Sequence, residues 1–148
     1  MRKLTVLYDA RCGFCSACRR WLEVQPQLVS LEFLPAGSDE ARRRFPTLTA
    51  AEPEELVVVS DDGGVYRDSH AWIMCLWALD EFREWSFRLA RPALLPLART
   101  VFEWVSERRR GISSLLGIRS DHDLAAVLTA GTARVSSRCD PPRAEKAR

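Results

Sequence analysis

No stretch of this 148-residue chain reaches the roughly 18 consecutive apolar residues that a membrane-spanning helix needs. Behind Met1-Arg2-Lys3 the first apolar run ends at Tyr8. That is too short for the hydrophobic region of a signal peptide, so neither secretion nor stable membrane insertion is expected. Charge of one sign is lacking too: 22 Lys and Arg against 20 Asp and Glu leave a net +2. This balance selects for neither nucleic acid nor an anionic membrane as partner. Histidine is scarce, with two, and five cysteines are an odd number that fits no secreted disulfide framework. A second Cys-x-x-Cys knuckle, which would complete a structural zinc site, is absent, as are internal repeats. The composition that remains, 47% hydrophobic and 28% charged, is that of one globular domain able to bury a core. The cysteine usage suits a reducing, cytoplasmic setting, where paired cysteines are catalytic, redox-sensing or metal-binding.

The informative stretch is Leu4 to Leu22. Leu4-Thr5-Val6-Leu7-Tyr8 is a short apolar, β-branched run that reads as a buried strand. Asp9-Ala10-Arg11 breaks it, and Phe14, Cys18 and Trp21 then recur at helical spacing, predicting a helix from Gly13 to about Val24. Cys12 and Cys15 thus open a helix that follows a strand, the layout of a thiol–disulfide centre. A cysteine at a helix mouth faces free N–H groups and the positive end of the dipole, both of which favour thiolate. The expectation is an exposed, attacking Cys12, with Gly13 keeping its approach open and Arg11 adding a cation, and a more buried, resolving Cys15. Asp9 is within reach of the thiols as a proton acceptor for Cys15, or of the turn backbone as a cap. Cys18 reads as a small buried side chain, Cys75 as inert core and Cys139 as incidental. A zinc module on Cys12, Cys15 and Cys18 is the alternative on the same residues, and a non-catalytic interaction domain a further one.

Downstream, Leu28 to Leu34 reads as a second strand, parallel to the first through the intervening helix. Ser38 caps a short helix running to Phe45, and Thr49 with Glu52 has capping-box spacing cut short by Pro53. Leu56 to Ser60, Asp61-Asp62-Gly63-Gly64 and Val65-Tyr66 form a hairpin. Ser69 caps a helix with Trp72, Cys75, Leu76 and Leu79 on its buried stripe. A further amphipathic helix begins between Pro92 and Pro96 and stops at Gly111, with Leu94, Leu97, Ala98, Val101 and Val105 on one face. That 94–105 face is a candidate homodimer contact. Asp121 opens one more short helix to Leu128, and composition from about residue 131 predicts disorder. Arg42-Arg43-Arg44 and Arg108-Arg109-Arg110 lie near helix C-termini and read as solvated ends rather than a nucleic-acid surface.

Tyr8-Asp9-Ala10-Arg11-Cys12-Gly13-Phe14-Cys15 resembles the Asp-x-x-Cys-x-x-Cys signature of the DCC family of thiol–disulfide oxidoreductases. Val57 to Tyr66 is similar to that family's strand, acidic-Gly turn and strand, and Asp68-Ser69-His70-Ala71 to its next helix start. Pro92 to Gly117 resembles its last helix. The likeness covers about residues 4 to 118, with Ala10 in place of a usual glycine, an additional Cys18 and a long tail as departures. It implies a thioredoxin-like α/β fold: a mixed sheet of about four strands flanked by helices, as in glutaredoxin, with an extra C-terminal helical segment. By analogy with such folds, Ser69 and His70 line the substrate groove beside Arg11. Such enzymes also place a cis-proline directly before the third strand, whereas here Glu54-Glu55 separate Pro53 from Leu56. The expected organisation is a dithiol domain over 1–118 and an extension over 119–148. The expected activity is exchange of a Cys12/Cys15 dithiol with a disulfide-bearing protein or small thiol compound, reset by an unidentified reductant, with no cofactor.

Overall fold

β1 (Lys3–Tyr8) is buried along all but its first residue, as an apolar run without polar alternation requires. The computed structural model describes residues 1–49, 56–115 and 117–136. Around β1 stand α1 (Gly13–Glu23), β2 (Ser30–Pro35), α2 (Asp39–Arg44) and the short α3 (Pro46–Thr49). Then come β3 (Val57–Ser60), β4 (Val65–Arg67), α4 (Asp68–Ala78), α5 (Arg83–Leu89), α6 (Leu95–Leu115) and α7 (Asp121–Ser136). The sheet order is β2-β1-β3-β4. β1 runs parallel to β2 (Lys3 opposite Ser30, Tyr8 opposite Pro35) and antiparallel to β3, which pairs antiparallel with β4. The expected mixed four-stranded sheet flanked by helices is therefore present, consistent with a thioredoxin-like α/β fold.

Strand periodicity divides the core in two. Leu4, Val6, Leu31 and Val58 face one side, where they meet Leu22 of α1 and Ala71, Cys75 and Ala78 of α4. Leu7, Leu34, Val57 and Val59 face the other, covered by Ala41 of α2 with Phe45 and Leu48. Each such aliphatic side chain contributes about 1.5–3 kcal/mol by leaving water. Local chemistry sets the connections. Ser38 Oγ accepts the Ala41 N–H at 3.1 Å and so caps α2, and Gly63 turns the β3–β4 hairpin at φ +93°.

Several expectations are corrected. Ser69 does not cap α4: Arg67 holds the cap position, and Ser69 is buried within the first turn. Trp21 leaves the inner stripe of α1 and lies 43% exposed, its ring edge against Phe82. α5, which the sequence reading did not resolve, follows the charged break after Ala78. α6 runs through Gly111 to Leu115, and beyond it Gly117, at φ +61°, lets Ile118 N–H donate to Ser113 O at 3.1 Å. Its inner face is Ala98, Phe102, Val105 and Arg109, whereas Leu94, Leu97 and Val101 are exposed. α7 continues past Leu128 to Ser136. Glu52, Pro53 and Cys139, with the rest of 137–148, lie outside the described residues.

Candidate active site

The chain reverses direction between β1 and α1 in a turn closed by Cys12 N–H donating to Asp9 O at 3.2 Å. Asp9 Oδ1 accepts the Arg11 N–H at 2.9 Å, which fixes the turn through its own side chain. Cys12 is the N-cap residue of α1, with φ −85° and ψ 116°. Its sulfur accepts the Cys15 N–H at 3.3 Å, the position that a serine or aspartate oxygen takes in an ordinary cap. A thiolate serves that role better than a thiol.

The electrostatics follow. Cys12 is lowered to about 6, chiefly by the hydrogen bond from the Cys15 thiol. Burial opposes this, while the Cys15 N–H and the charge of Arg109 assist and Asp9 resists. Cys15 moves the other way: it holds its proton because it donates it to Cys12, and burial and the adjacent Cys12 charge add to the effect. One shared proton between two sulfurs explains both directions. Cys18 is raised to about 11 and Cys75 to about 12, each mainly by burial, so both are poor nucleophiles.

Exposure departs from expectation. Cys12 is only 4% exposed, whereas Cys15 is half-buried. The cause is the C-terminal part of the chain. Phe14 N–H donates to Ser113 Oγ at 2.7 Å, and His122 N–H to Ala10 O at 3.1 Å. Ser16 Oγ accepts the Asp121 N–H at 2.9 Å. Asp121 also accepts from Arg19 Nε at 2.8 Å, Arg20 Nη1 at 2.7 Å and Tyr8 OH at 3.0 Å. Burial and this bond to Asp121 push the Tyr8 phenol up to about 12. Gly13 does not open the approach to Cys12. It is buried, and a Cβ there would stand 2.2 Å from Ile118 O.

A small, largely apolar cavity adjoins Cys15, lined also by Phe14, Cys18, Trp72, Val105 and Arg109, with Asp9 at its edge. Beside the turn lies an open groove, lined by Ala10, Pro35 and Ala125 as well as by Asp9, Arg11, Arg42 and His122. Asp9, Arg11, Cys12 and Cys15 are thus gathered at the β1–α1 turn. Ser69 is buried and His70 exposed at the start of α4, and neither lines the cavity or the groove. Trp72, one turn on, is the α4 residue that reaches the cavity, where its ring stacks on Phe102 at 6.0 Å. The cation facing the sulfurs is Arg109, 8% exposed, whose Nη1 lies 3.8 Å from Cys15 Sγ. Read as part of a solvated arginine run, Arg109 was missed. The available signal was its spacing of four from Val105 and seven from Phe102, which continues the inner face of α6. Among the described residues no three His, Cys, Asp or Glu side chains are grouped to hold a metal ion.

Comparison with known proteins places this geometry. No curated protein and no solved structure matches the chain. The family model of the DCC1-like thiol-disulfide oxidoreductases matches residues 6–115, which takes in the second half of β1, the cysteine turn, β2 to β4 and α6 through its last residue. The chain belongs to the DCC1-like thiol–disulfide oxidoreductase family.

Proposed function

We propose that Cys12 and Cys15 are the redox pair of this protein and that it exchanges their dithiol with a substrate disulfide. The observation that carries the reading is Cys12 Sγ as the cap of α1, accepting from Cys15 at 3.3 Å and lowered to about 6. At neutral pH such a thiol is mostly thiolate, the form that attacks disulfides. Cys12 Sγ attacks one sulfur of the substrate, forms a mixed disulfide and expels the other sulfur as thiolate. Cys15, as thiolate, then attacks Cys12 Sγ. The Cys12–Cys15 bond forms, the Cys12–substrate bond breaks, and the second substrate thiolate leaves with the electron pair. The two cysteine thiols are oxidised, the substrate disulfide is reduced to two thiols, and a reductant of the same chemical class resets the pair.

Asp9, at the edge of the cavity, takes the proton released by Cys15. Arg11, exposed in the lining of the open groove, meets the part of the substrate that lies outside the cavity. No helix among the described residues is long and apolar enough to cross a membrane. A reducing compartment such as the cytoplasm suits a pair that must be returned to the dithiol.

Incubating a Cys15→Ser variant with a small aromatic disulfide tests this assignment. A mixed disulfide on Cys12 is expected to accumulate and be seen by intact mass, and Cys12→Ser should neither form the adduct nor reduce the disulfide. Turnover that survives Cys12→Ser would overturn the assignment.

A further inference from the structure

We propose that Arg109 is the catalytic cation of the second exchange step, holding Cys15 as thiolate once Cys12 is tied to substrate. This deepens the dithiol reading above and rests on it.

The first ground is that Arg109 has no carboxylate partner among the described residues. Two arginines of α1 show the usual solution: Arg19 and Arg20 are both paired with Asp121. Arg109 is buried to 8% exposure, yet among the described residues no carboxylate lies within ion-pair distance of it. Its guanidinium donates to Cys15 Sγ at 3.8 Å. Arginine does not lose its charge in proteins. A buried charge left unpaired is costly, and the group within reach that can become anionic is the thiol.

The second ground is that Arg109 is held there. Val105 lines the cavity one turn earlier, and Phe102 is stacked on Trp72. Ser113 Oγ donates to Arg109 O at 2.7 Å while accepting from Phe14 N–H, which ties this turn of α6 to the first turn of α1. The guanidinium therefore stands in a fixed position relative to the sulfurs rather than on a free surface stem.

The third ground is the order of events at Cys15. In the dithiol, the Cys15 thiol donates its hydrogen bond to Cys12 and keeps its proton, and the charge of Arg109 is a lesser aid to Cys12 than that bond. When Cys12 enters a mixed disulfide, its negative charge disappears and its sulfur becomes a poor acceptor. Both influences that Cys12 exerts to keep the proton on Cys15 end together, and they are among the three largest on that thiol. Burial and Asp9 remain on one side and Arg109 on the other. The groups facing Cys15 are then Tyr8 and Asp9 from β1 and its turn, Cys18 and Arg19 from α1, and Arg109 from α6. Arg109 is the one that touches the sulfur. Attack by Cys12 thus switches on its own resolution: Cys15 yields its proton to Asp9, its sulfur bonds to Cys12 Sγ, and the substrate thiolate departs.

The test reads Cys15 directly. In a Cys12→Ser background, the rate of Cys15 alkylation by iodoacetamide is followed against pH, with peptide mass mapping to separate it from Cys18. Adding Arg109→Met is expected to raise the Cys15 midpoint by about one pH unit, slowing alkylation near neutral pH about tenfold. Arg109→Lys, which keeps the charge, should stay within about threefold of the parent. With Cys12 intact, Arg109→Met should leave the first attack within a few fold but let the mixed disulfide accumulate, because resolution slows about tenfold. Thermal melts show whether each variant folds, and Arg109→Gln repeats the neutral substitution should the Met variant melt early. An unchanged Cys15 titration in the folded neutral variants, or equal shifts in Met and Lys, would overturn the proposal. Failure of the dithiol reading looks different: the wild-type protein would form no adduct on Cys12, while the Cys15 titration would still report on Arg109.

Discussion

Replacing Gly13 with alanine adds a single methyl group at the second residue of the Cys-x-x-Cys motif, and the structure makes its effect calculable. The new Cβ would stand 2.2 Å from Ile118 O and 3.1 Å from Ile118 C. An ordinary contact needs about 3.4 Å or more, so the two backbones must separate by over an ångström. Neither yields cheaply. Gly13 begins α1, and Ile118 is bonded to Ser113 O at the end of α6. Separation puts at risk three bonds that span the contact: Phe14 N–H to Ser113 Oγ, His122 N–H to Ala10 O, and Asp121 N–H to Ser16 Oγ. Overpacking costs typically about 1–3 kcal/mol, and each hydrogen bond lost to water about 1 kcal/mol. A destabilisation of about 2–4 kcal/mol is expected, or about 6–12 °C in melting temperature for a chain of this size. Uncovering should also speed alkylation of Cys12, which is 4% exposed in the intact fold. Differential scanning calorimetry and mass-resolved iodoacetamide labelling measure both. A Gly13→Ala protein with unchanged melting temperature and unchanged Cys12 labelling would refute the reasoning, since the contact between α1 and Ile118 could not then exist as described.

Titration supplies two further expectations. The folded pKa of Cys12, about 6, lies below its ordinary 9.0, so its ionisation stabilises the fold above the ordinary value and that contribution is lost as pH falls through 6. Melting of the reduced protein, measured against Cys12→Ser, should therefore gain stability from about pH 6 toward 9. Above that window the Cys12 contribution is constant, and Cys15, whose pKa is raised, makes stability fall as pH rises further; a flat difference from pH 6 to 9 would sink the assignment of the shared proton. Asp121→Ala removes the acceptor of Arg19, Arg20 and Tyr8 at once and is expected to cost about 2 kcal/mol, between surface and fully buried ion pairs. The same substitution should lower the Tyr8 ionisation from its present value of about 12, read by ultraviolet titration, though not to that of a free phenol because burial is the larger cause.

What could be read in advance was whatever depends on neighbours in sequence. The run Leu4 to Tyr8, the break at Asp9 and the helical period after Cys12 define strand, turn and capped helix locally, and each forms where expected. The β3–β4 hairpin follows from its glycines in the same way. Local signals misled where a residue could serve two ends. Gly111 looks like a terminator, but a Cβ there would meet nothing, and the helix continues through it to Leu115. Ser69 looks like a cap but is the second residue of the helix, behind Asp68 at φ 50°. α5 escaped because its aromatic residues Trp85 and Phe87 are exposed while Ser86 is buried, the reverse of an amphipathic pattern. The covering of Cys12 was illegible for a different reason. It depends on contacts such as Phe14 with Ser113, and on a carbonyl meeting a missing side chain, neither of which leaves a periodic trace.

That covering also has a chronology. The residues that close over the chain on both sides of Cys12 are Ser113, Ile118 and the start of α7, about a hundred positions later in the chain. At synthesis rates of about 5–20 residues per second, the two thiols exist for roughly 5–20 seconds before their cover has been made. During that interval β1, α1 and β2 can already associate, because their pairing is sequentially close. The thiols then stand open to any disulfide that diffuses past. The redox state in which the pair first enters the folded protein therefore follows the surroundings of the nascent chain, before exchange with substrate begins.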